Sequence, residues 1–304
     1  MAKILITGIA GFTGRHLARE LMEQGHEVCG LAHRQLADTP WPVRVCDLLD
    51  ADALTGLMRE TRPDIVMHLA AIAFVAHGDV GEIYKTNVVG TRNLLAAIDG
   101  AQIRPKSVLL ASSANVYGNA EAELIDESVA TSPANDYAVS KLAMEYAARL
   151  WFDKLPIVIT RPFNYTGAGQ HENFLIPKIV AAFRRRLPVL ELGNLHVVRD
   201  FSDVRMVARA YSRLVAGGFE GEVYNVCSGV GHSLNDILEM MVELTGHRPE
   251  IQVNPAFVRK NEVHRLVGSH ARLTKAIGPI EALPILETLR WMLDDQGGGG
   301  SVAA

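Results

Sequence analysis

Gly8-Ile9-Ala10-Gly11-Phe12-Thr13-Gly14 follows the apolar stretch Lys3–Thr7 and opens a helical pattern. Glycine at these positions lets a chain turn sharply out of a strand, brings backbone against a ligand, and packs the next helix close to the strand. That helix aims its first amide N–H groups beyond the turn, an arrangement suited to the pyrophosphate of a dinucleotide. Gly8, Gly11, Phe12, Thr13 and Gly14 are therefore expected cofactor contacts.

The rest of the N-terminal half keeps the same rhythm. Strand-like runs at 3–7, 27–32, 43–46, 64–70, 107–113 and 156–162 alternate with helical patterns at 13–24, 50–60, 81–98 and 135–150. Regular alternation of this kind implies an α/β fold: a Rossmann, doubly wound parallel sheet with ligands at the carboxyl ends of its strands. Beyond Arg161 the pattern loosens into helices at 173–186, 204–215, 233–245 and 282–294, with short strands at 222–226 and 251–253. A smaller α/β C-terminal substrate-binding cap is expected there. Residues 1–163 with about 204–228 are assigned to the dinucleotide domain, and about 164–203 with 229–296 to the cap. The glycine-rich residues 297–304 read as a flexible tail.

Composition excludes several function classes. At 48% hydrophobic, 21% charged and net charge −4, the chain of 304 residues is ordinary globular material with no bulk field favouring nucleic acid or membrane. Arg184-Arg185-Arg186 is a local basic run, read as a solvated helix end before an anion site. Cys29, Cys46 and Cys227 have no metal-binding spacing, so no metal is expected. The odd cysteine count, the early first strand and the lack of a long apolar run lead to the expectation of a cytoplasmic protein with no membrane contact.

The cofactor's identity turns on the end of the second strand. A carboxylate there holds the ribose 2′-OH of NAD; here His33-Arg34 follows the strand. A guanidinium attracts a 2′-phosphate, so NADP(H) is expected, with His33 and Arg34 in contact. The alternative for Arg34 is a surface loop arginine. Asp47-Leu48 stands where an adenine edge would be held, or is only a polar strand end and a core leucine. Leu69-Ala70-Ala71 supplies small residues beside the cofactor, and Asn87 reads as structural support.

Tyr137-Ala138-Val139-Ser140-Lys141 sets a phenol and an ammonium one helical turn apart. An adjacent ammonium draws a tyrosine pKa from about 10 toward neutrality, so that the phenol can pass protons at ordinary pH. A serine at the end of the fifth strand can hold the same substrate oxygen. With a dinucleotide site, these groups point to alcohol–ketone redox chemistry.

GIAGFTG at 8–14, SSANVYG at 112–118, YAVSK at 137–141 and RPFN at 161–164 resemble the extended short-chain dehydrogenase/reductase superfamily, which holds nucleotide-sugar epimerases, dehydratases and reductases. The resemblance implies that Ser113 polarises the substrate, Tyr137 is the acid/base, and Lys141 lowers the tyrosine pKa and holds the nicotinamide ribose. It places Arg161 beside the nicotinamide and Asn164 near the sugar.

The second half adds the segment around Asn173 and Pro177, the VRDFSDV stretch at 198–204, VYNVCSG at 223–229, RKNEV at 259–263 and GSHARL at 268–273. Together these look most like GDP-4-keto-6-deoxy-D-mannose reductases, which make GDP-D-rhamnose, or in close relatives its C4 epimer GDP-6-deoxy-D-talose. By that resemblance Arg199 and Arg259 meet the diphosphate, Glu262 the ribose hydroxyls, and Asn173 and Lys178 line the site; surface ion pairs are the alternative for the arginines, a solvated lysine for Lys178. The dehydratases of this superfamily carry an acid two residues after the active serine, where this chain has Asn115, so dehydration is not expected.

Two rivals remain at this point. A 4-epimerase with tightly bound NAD uses the same triad, and a non-catalytic NADP(H)-sensing protein uses the same fold. Helices 81–98 and 135–150 either pair in a homodimer, as in relatives, or only cover the sheet.

Overall fold

In the computed structural model, which describes residues 1–73, 79–257 and 263–295, the first half of the chain alternates strand and helix. Its elements are β1 (Lys3–Thr7), α1 (Phe12–Glu23), β2 (Glu27–Ala32), β3 (Val43–Val45), α2 (Ala51–Thr61), β4 (Ile65–His68), α3 (Val80–Tyr84), α4 (Thr91–Gly100), β5 (Ser107–Ala111), α5 (Asp136–Arg149) and β6 (Ile157–Pro162). The second half carries β7 (Asn164–Thr166), α6 (Leu175–Arg184), β8 (Val189–Leu192), β9 (Val198–Asp203), α7 (Val204–Leu214), β10 (Val223–Val226), β11 (Gly231–Ser233), α8 (Leu234–Thr245), β12 (Glu250–Val253), β13 (Arg265–Leu266), α9 (Ala271–Ile277) and α10 (Ile285–Asp294).

Among the described residues, seven parallel strands form the main sheet in the order β10-β6-β5-β4-β1-β2-β3. The order reverses between β1 and β4, so their carboxyl ends diverge and leave a crevice. β4, β5 and β6 are almost wholly buried, because helices cover both faces of the sheet. One face packs Ile4, Ile6, Leu17 and Leu21 with Val207 and Tyr211 of α7. The other packs Leu5, Val66 and Leu110 with Leu94 and Ile98 of α4 and Met144 of α5. Each such side chain contributes roughly 1.5–3 kcal/mol when taken out of water.

The long helix read over 81–98 is present as an unbroken helical run from Val80 to Gly100, with one irregularity in its middle. The turns between α3 and α4 widen into a π-helical segment, Lys85–Gly90. Asn87 lies inside it and turns its amide inward to Ile72 and Ser140, which holds the wider turn open.

Val198–Asp203, which the sequence reading did not count among the strands, is a strand flanked by β11, β13 and β7. Its alternating charge hid it. Asp200 and Asp203 are buried, yet each is fully partnered: Asp200 accepts from the backbone N–H groups of Ser228 and Gly229, and Asp203 accepts from Arg205 and Thr288. β8 and β12 pair in a further two-stranded sheet, against a separate core built from α6, α8 and α10.

Candidate active site

The glycine turn at the end of β1 is tight for a steric reason. Gly8 has φ +71°, and a Cβ there would lie 2.7 Å from the backbone nitrogen of Ala70. A Cβ on Gly14 would come within 2.4 Å of the Gly8 carbonyl oxygen. Any larger residue would push β1, α1 and the end of β4 apart. Among the described residues, no side chain caps the N-terminus of α1 and no acid stands in its first turn. Its amide groups are thus left to an anionic ligand. These features fit a dinucleotide pyrophosphate.

Around that turn, Leu69, Ala70 and Ala71 follow β4 and are half-buried. His33 and Arg34 are exposed directly after β2. Asp47 is exposed and folds its carboxylate onto the Leu49 N–H at 2.9 Å. Leu48 is buried in the core against Gly90, so the bland reading of that leucine holds. Thr13 and Phe12 reach across to Tyr165, by a 2.8 Å hydrogen bond and a stacked ring at 6.2 Å.

Ser113, Tyr137 and Lys141 come together where β5 meets α5. Ser113 caps the short 3₁₀ turn Ala114–Tyr117, accepting from the Asn115 N–H. Gly118 then closes the turn at φ +60°, with the Ser132 carbonyl oxygen only 1.9 Å from where a Cβ would stand. Asn135 caps α5 by accepting from the Ala138 N–H, which fixes Tyr137 in the first turn. The Tyr137 phenol lies close enough to Ser113 for that hydroxyl to favour its ionised form. Lys141, one turn later, donates from Nζ to the Ala111 carbonyl at 2.8 Å.

The protonation picture corrects one expectation. Burial, reinforced by the nearby Tyr165, holds the Tyr137 phenol above its ordinary value; the neighbouring Ser113 hydroxyl opposes this. Desolvation also weakens the lysine's charge, bringing Lys141 down to about 8 against the pull of Glu145. Spacing of one turn does not by itself acidify the phenol, because both groups pay for losing water.

His68, at the end of β4, is buried and held neutral: desolvation, with the charge of Lys141, lowers it to about 3. Its tautomer follows from its neighbours. Thr91 donates to the Asn87 carbonyl and therefore accepts from His68 Nε2–H, leaving Nδ1 to accept from Thr7.

Arg161 is the second correction. It was expected beside the nicotinamide, but it is 4% exposed and its three nitrogens are engaged by Glu145 and Tyr117. The paired carboxylate outweighs the desolvation that would lower its pKa, and raises it. Glu145, Tyr117 and Asn225 were not foreseen. Glu145 had a signal, since it continues the i, i+4 spacing of Tyr137 and Lys141.

On the other side, Asn164 and Asn173 are exposed, on β7 and just before α6. Lys178 donates to the Glu191 carbonyl and lies 4.0 Å over the Phe257 ring. Arg199, on β9, donates to the Val198 carbonyl at 3.0 Å. Arg259 and Glu262 lie outside the described residues.

The profile of the NAD dependent epimerase/dehydratase family matches residues 4–227. The chain belongs to this family. Among its epimerase/dehydratase relatives, a GDP-6-deoxy-D-talose 4-dehydrogenase of Aggregatibacter actinomycetemcomitans is 36% identical over 277 residues, 91% of each chain. A GDP-6-deoxy-D-mannose reductase of Pseudomonas aeruginosa is 38% identical over 304 aligned residues, 96% of each. The crystal structure of RMD from Pseudomonas aeruginosa with NADPH superposes with a TM-score of 0.83 at 35% identity, covering 96% of this chain and 98% of that one. The family's extended short-chain dehydrogenase/reductase architecture is the one described above.

Proposed function

We propose that this protein is an NADP(H)-dependent nucleotide-sugar oxidoreductase that reduces the C4 keto group of GDP-4-keto-6-deoxy-D-mannose, giving GDP-D-rhamnose or its C4 epimer GDP-6-deoxy-D-talose. The reading is carried by one observation: Tyr137, close to Ser113, stands one turn from a buried ammonium beside the strand ends that frame the glycine turn. The named relatives act on GDP-6-deoxyhexoses, and one was solved with NADPH.

The reduced nicotinamide, when bound, supplies the hydride equivalent for C4. Everything else is done by side chains of this chain. Ser113 Oγ donates to the ketone oxygen and holds it beside the Tyr137 hydroxyl. Tyr137 gives its proton to that oxygen as charge develops there. Lys141 places a positive charge next to the resulting phenolate, and so stabilises the deprotonated tyrosine at the moment of transfer. The raised resting pKa of Tyr137 keeps the phenol protonated, as a proton donor requires.

The seven-stranded unit, with Gly8, Gly11, Phe12, Thr13, Gly14, His33, Arg34, Asp47 and Leu69–Ala71, is assigned to the dinucleotide, and the smaller unit to the GDP-sugar. Asn164, Asn173, Lys178 and Arg199 are its proposed contacts, together with Arg259 and Glu262. No helix among the described residues is long and apolar enough to cross a membrane, and we place the protein in the cytoplasm. Val139 and Tyr146 of α5 and Leu150 just after it are exposed apolar residues, as are Val80 and Val89 of the helical run packed against α5. These residues are the seam proposed for a homodimer, which light scattering tests.

Purified protein with NADPH and GDP-4-keto-6-deoxy-D-mannose should consume reduced-nicotinamide absorbance, and NMR of the product assigns its C4 configuration. No turnover, with stoichiometric NAD released on denaturation, would instead support an epimerase.

A further inference from the structure

Behind the Tyr137–Lys141 face of α5 runs a continuous buried polar chain. Glu145, one turn beyond Lys141, is fully buried. Its Oε1 accepts from Ser112 Oγ at 2.6 Å and from Arg161 Nε at 2.9 Å; its Oε2 accepts from Arg161 Nη2 at 2.7 Å. Arg161 Nη1 donates to the Tyr117 hydroxyl at 2.9 Å, and its guanidinium carbon lies 4.9 Å from the centre of that ring. The Tyr117 hydroxyl in turn donates a hydrogen bond to Asn225 Oδ1 at 2.7 Å.

The chain touches each part that carries the chemistry. Ser112 immediately precedes Ser113 on the strand end, Tyr117 belongs to the turn that Ser113 caps, and Glu145 shares a helix with Tyr137 and Lys141. A buried bidentate ion pair is an expensive way to hold a core together, since apolar residues of similar size do this at least as well. Its charge must therefore serve something that apolar packing does not.

We infer that Glu145 is a positioning residue whose buried carboxylate keeps Lys141 protonated inside the core, and that Arg161 holds that carboxylate in place and ionised. The inference rests on the reading of Lys141 as the active-site ammonium. Among the described residues, the groups around Lys141 leave it no other negative charge. Tyr137 is a neutral phenol on the same helix. His68 of β4 is neutral. Ala111 of β5 offers only a carbonyl dipole. Arg161 of β6 is positive and bound to Glu145. Desolvation opposes the ammonium, and the acid whose charge reaches it is Glu145. An ammonium that is lost is no longer there to stabilise the tyrosinate, so the pair sets the upper pH limit of the reaction.

The test uses the double variant Glu145→Gln/Arg161→Met, which removes both charges and leaves no stranded ion, and Glu145→Asp, which keeps the charge but draws it back by one methylene. Lys141 is titrated directly in the cofactor-free protein by NMR of ε-¹³C-labelled lysine, with Lys141→Met assigning the resonance. The double variant should lower the Lys141 midpoint from its wild-type position near 8, and Glu145→Asp should lower it by less. The alkaline limb of kcat/KM should move with the midpoint. A merely structural pair would lower activity at every pH and leave both limb and midpoint in place. A wild-type midpoint in Glu145→Asp, or in the folded double variant, overturns the inference. A shifted midpoint in a protein that does not reduce the keto sugar would sustain the inference and refute the assigned reaction.

Discussion

Thr13, on the glycine turn, and Tyr165, on β7, share a 2.8 Å side-chain hydrogen bond across 152 positions of sequence. The bond ties the dinucleotide turn to the segment leading into the smaller sheets, and the Phe12 ring stacks on the same tyrosine. Tyr165→Phe keeps the ring contact and loses only the hydroxyl. A bond of this kind contributes about 0.5–1.5 kcal/mol, so the dissociation constant for NADPH should rise roughly two- to tenfold with Tm nearly unchanged. Fluorescence titration measures it; an unaltered constant would show that the turn is ordered without this bond.

Arg34 is exposed immediately after β2, where a 2′-phosphate would lie. A charge-assisted bond to phosphate contributes about 1.5–3 kcal/mol. Arg34→Ala should therefore weaken NADPH by about ten- to a hundredfold while leaving NADH almost unaffected, as isothermal titration with each cofactor would reveal. Equal losses for both would remove the case for NADP(H) at this position.

Tyr137→Phe deletes the donated proton and keeps the ring in its buried place, so kcat should fall by about 10²–10⁴ with the fold intact. Lys141→Met should also abolish turnover, yet leave Tm unchanged or higher. The reason is that the core is charged a desolvation penalty for Lys141: its folded pKa of about 8 lies below the ordinary lysine value. Calorimetry of the variant would contradict this assignment if Tm dropped by several degrees.

His68 makes stability depend on acid. Its folded pKa, about 3, is depressed below the unfolded value of 6.5, so between those values the unfolded chain binds a proton that the native protein does not. Stability is thus full above pH 6.5 and is lost as pH falls toward 3. The loss amounts to roughly 2 kcal/mol at pH 5 from this group. His68→Gln should flatten that dependence in urea unfolding at pH 7 and pH 5, whereas an identical slope in both proteins would assign acid sensitivity elsewhere.

Most of the main sheet was legible in the sequence, because the strands buried on both faces are continuous apolar runs and the helices between them keep a strict period. β9 was not, since Asp200 and Asp203 look like loop residues until the amides and hydroxyls that satisfy them are in place. The π-helical widening at Lys85–Gly90 was invisible for a similar reason. It depends on Asn87 meeting Ile72 and Ser140, which lie 15 residues before it and 53 after it.

The sequence by itself determined the order of strands and helices in the first half of the chain, the place of the glycine turn and the one-turn spacing of Tyr137 and Lys141. These are local matters of sterics, period and propensity. Only the tertiary structure decided which charges Lys141 feels, that Arg161 faces Glu145 instead of a ligand, and that Tyr165 reaches Thr13. Proton affinity and side-chain partnership depend on burial and on groups far apart in the chain, and those exist only once the sheet and its helices have closed.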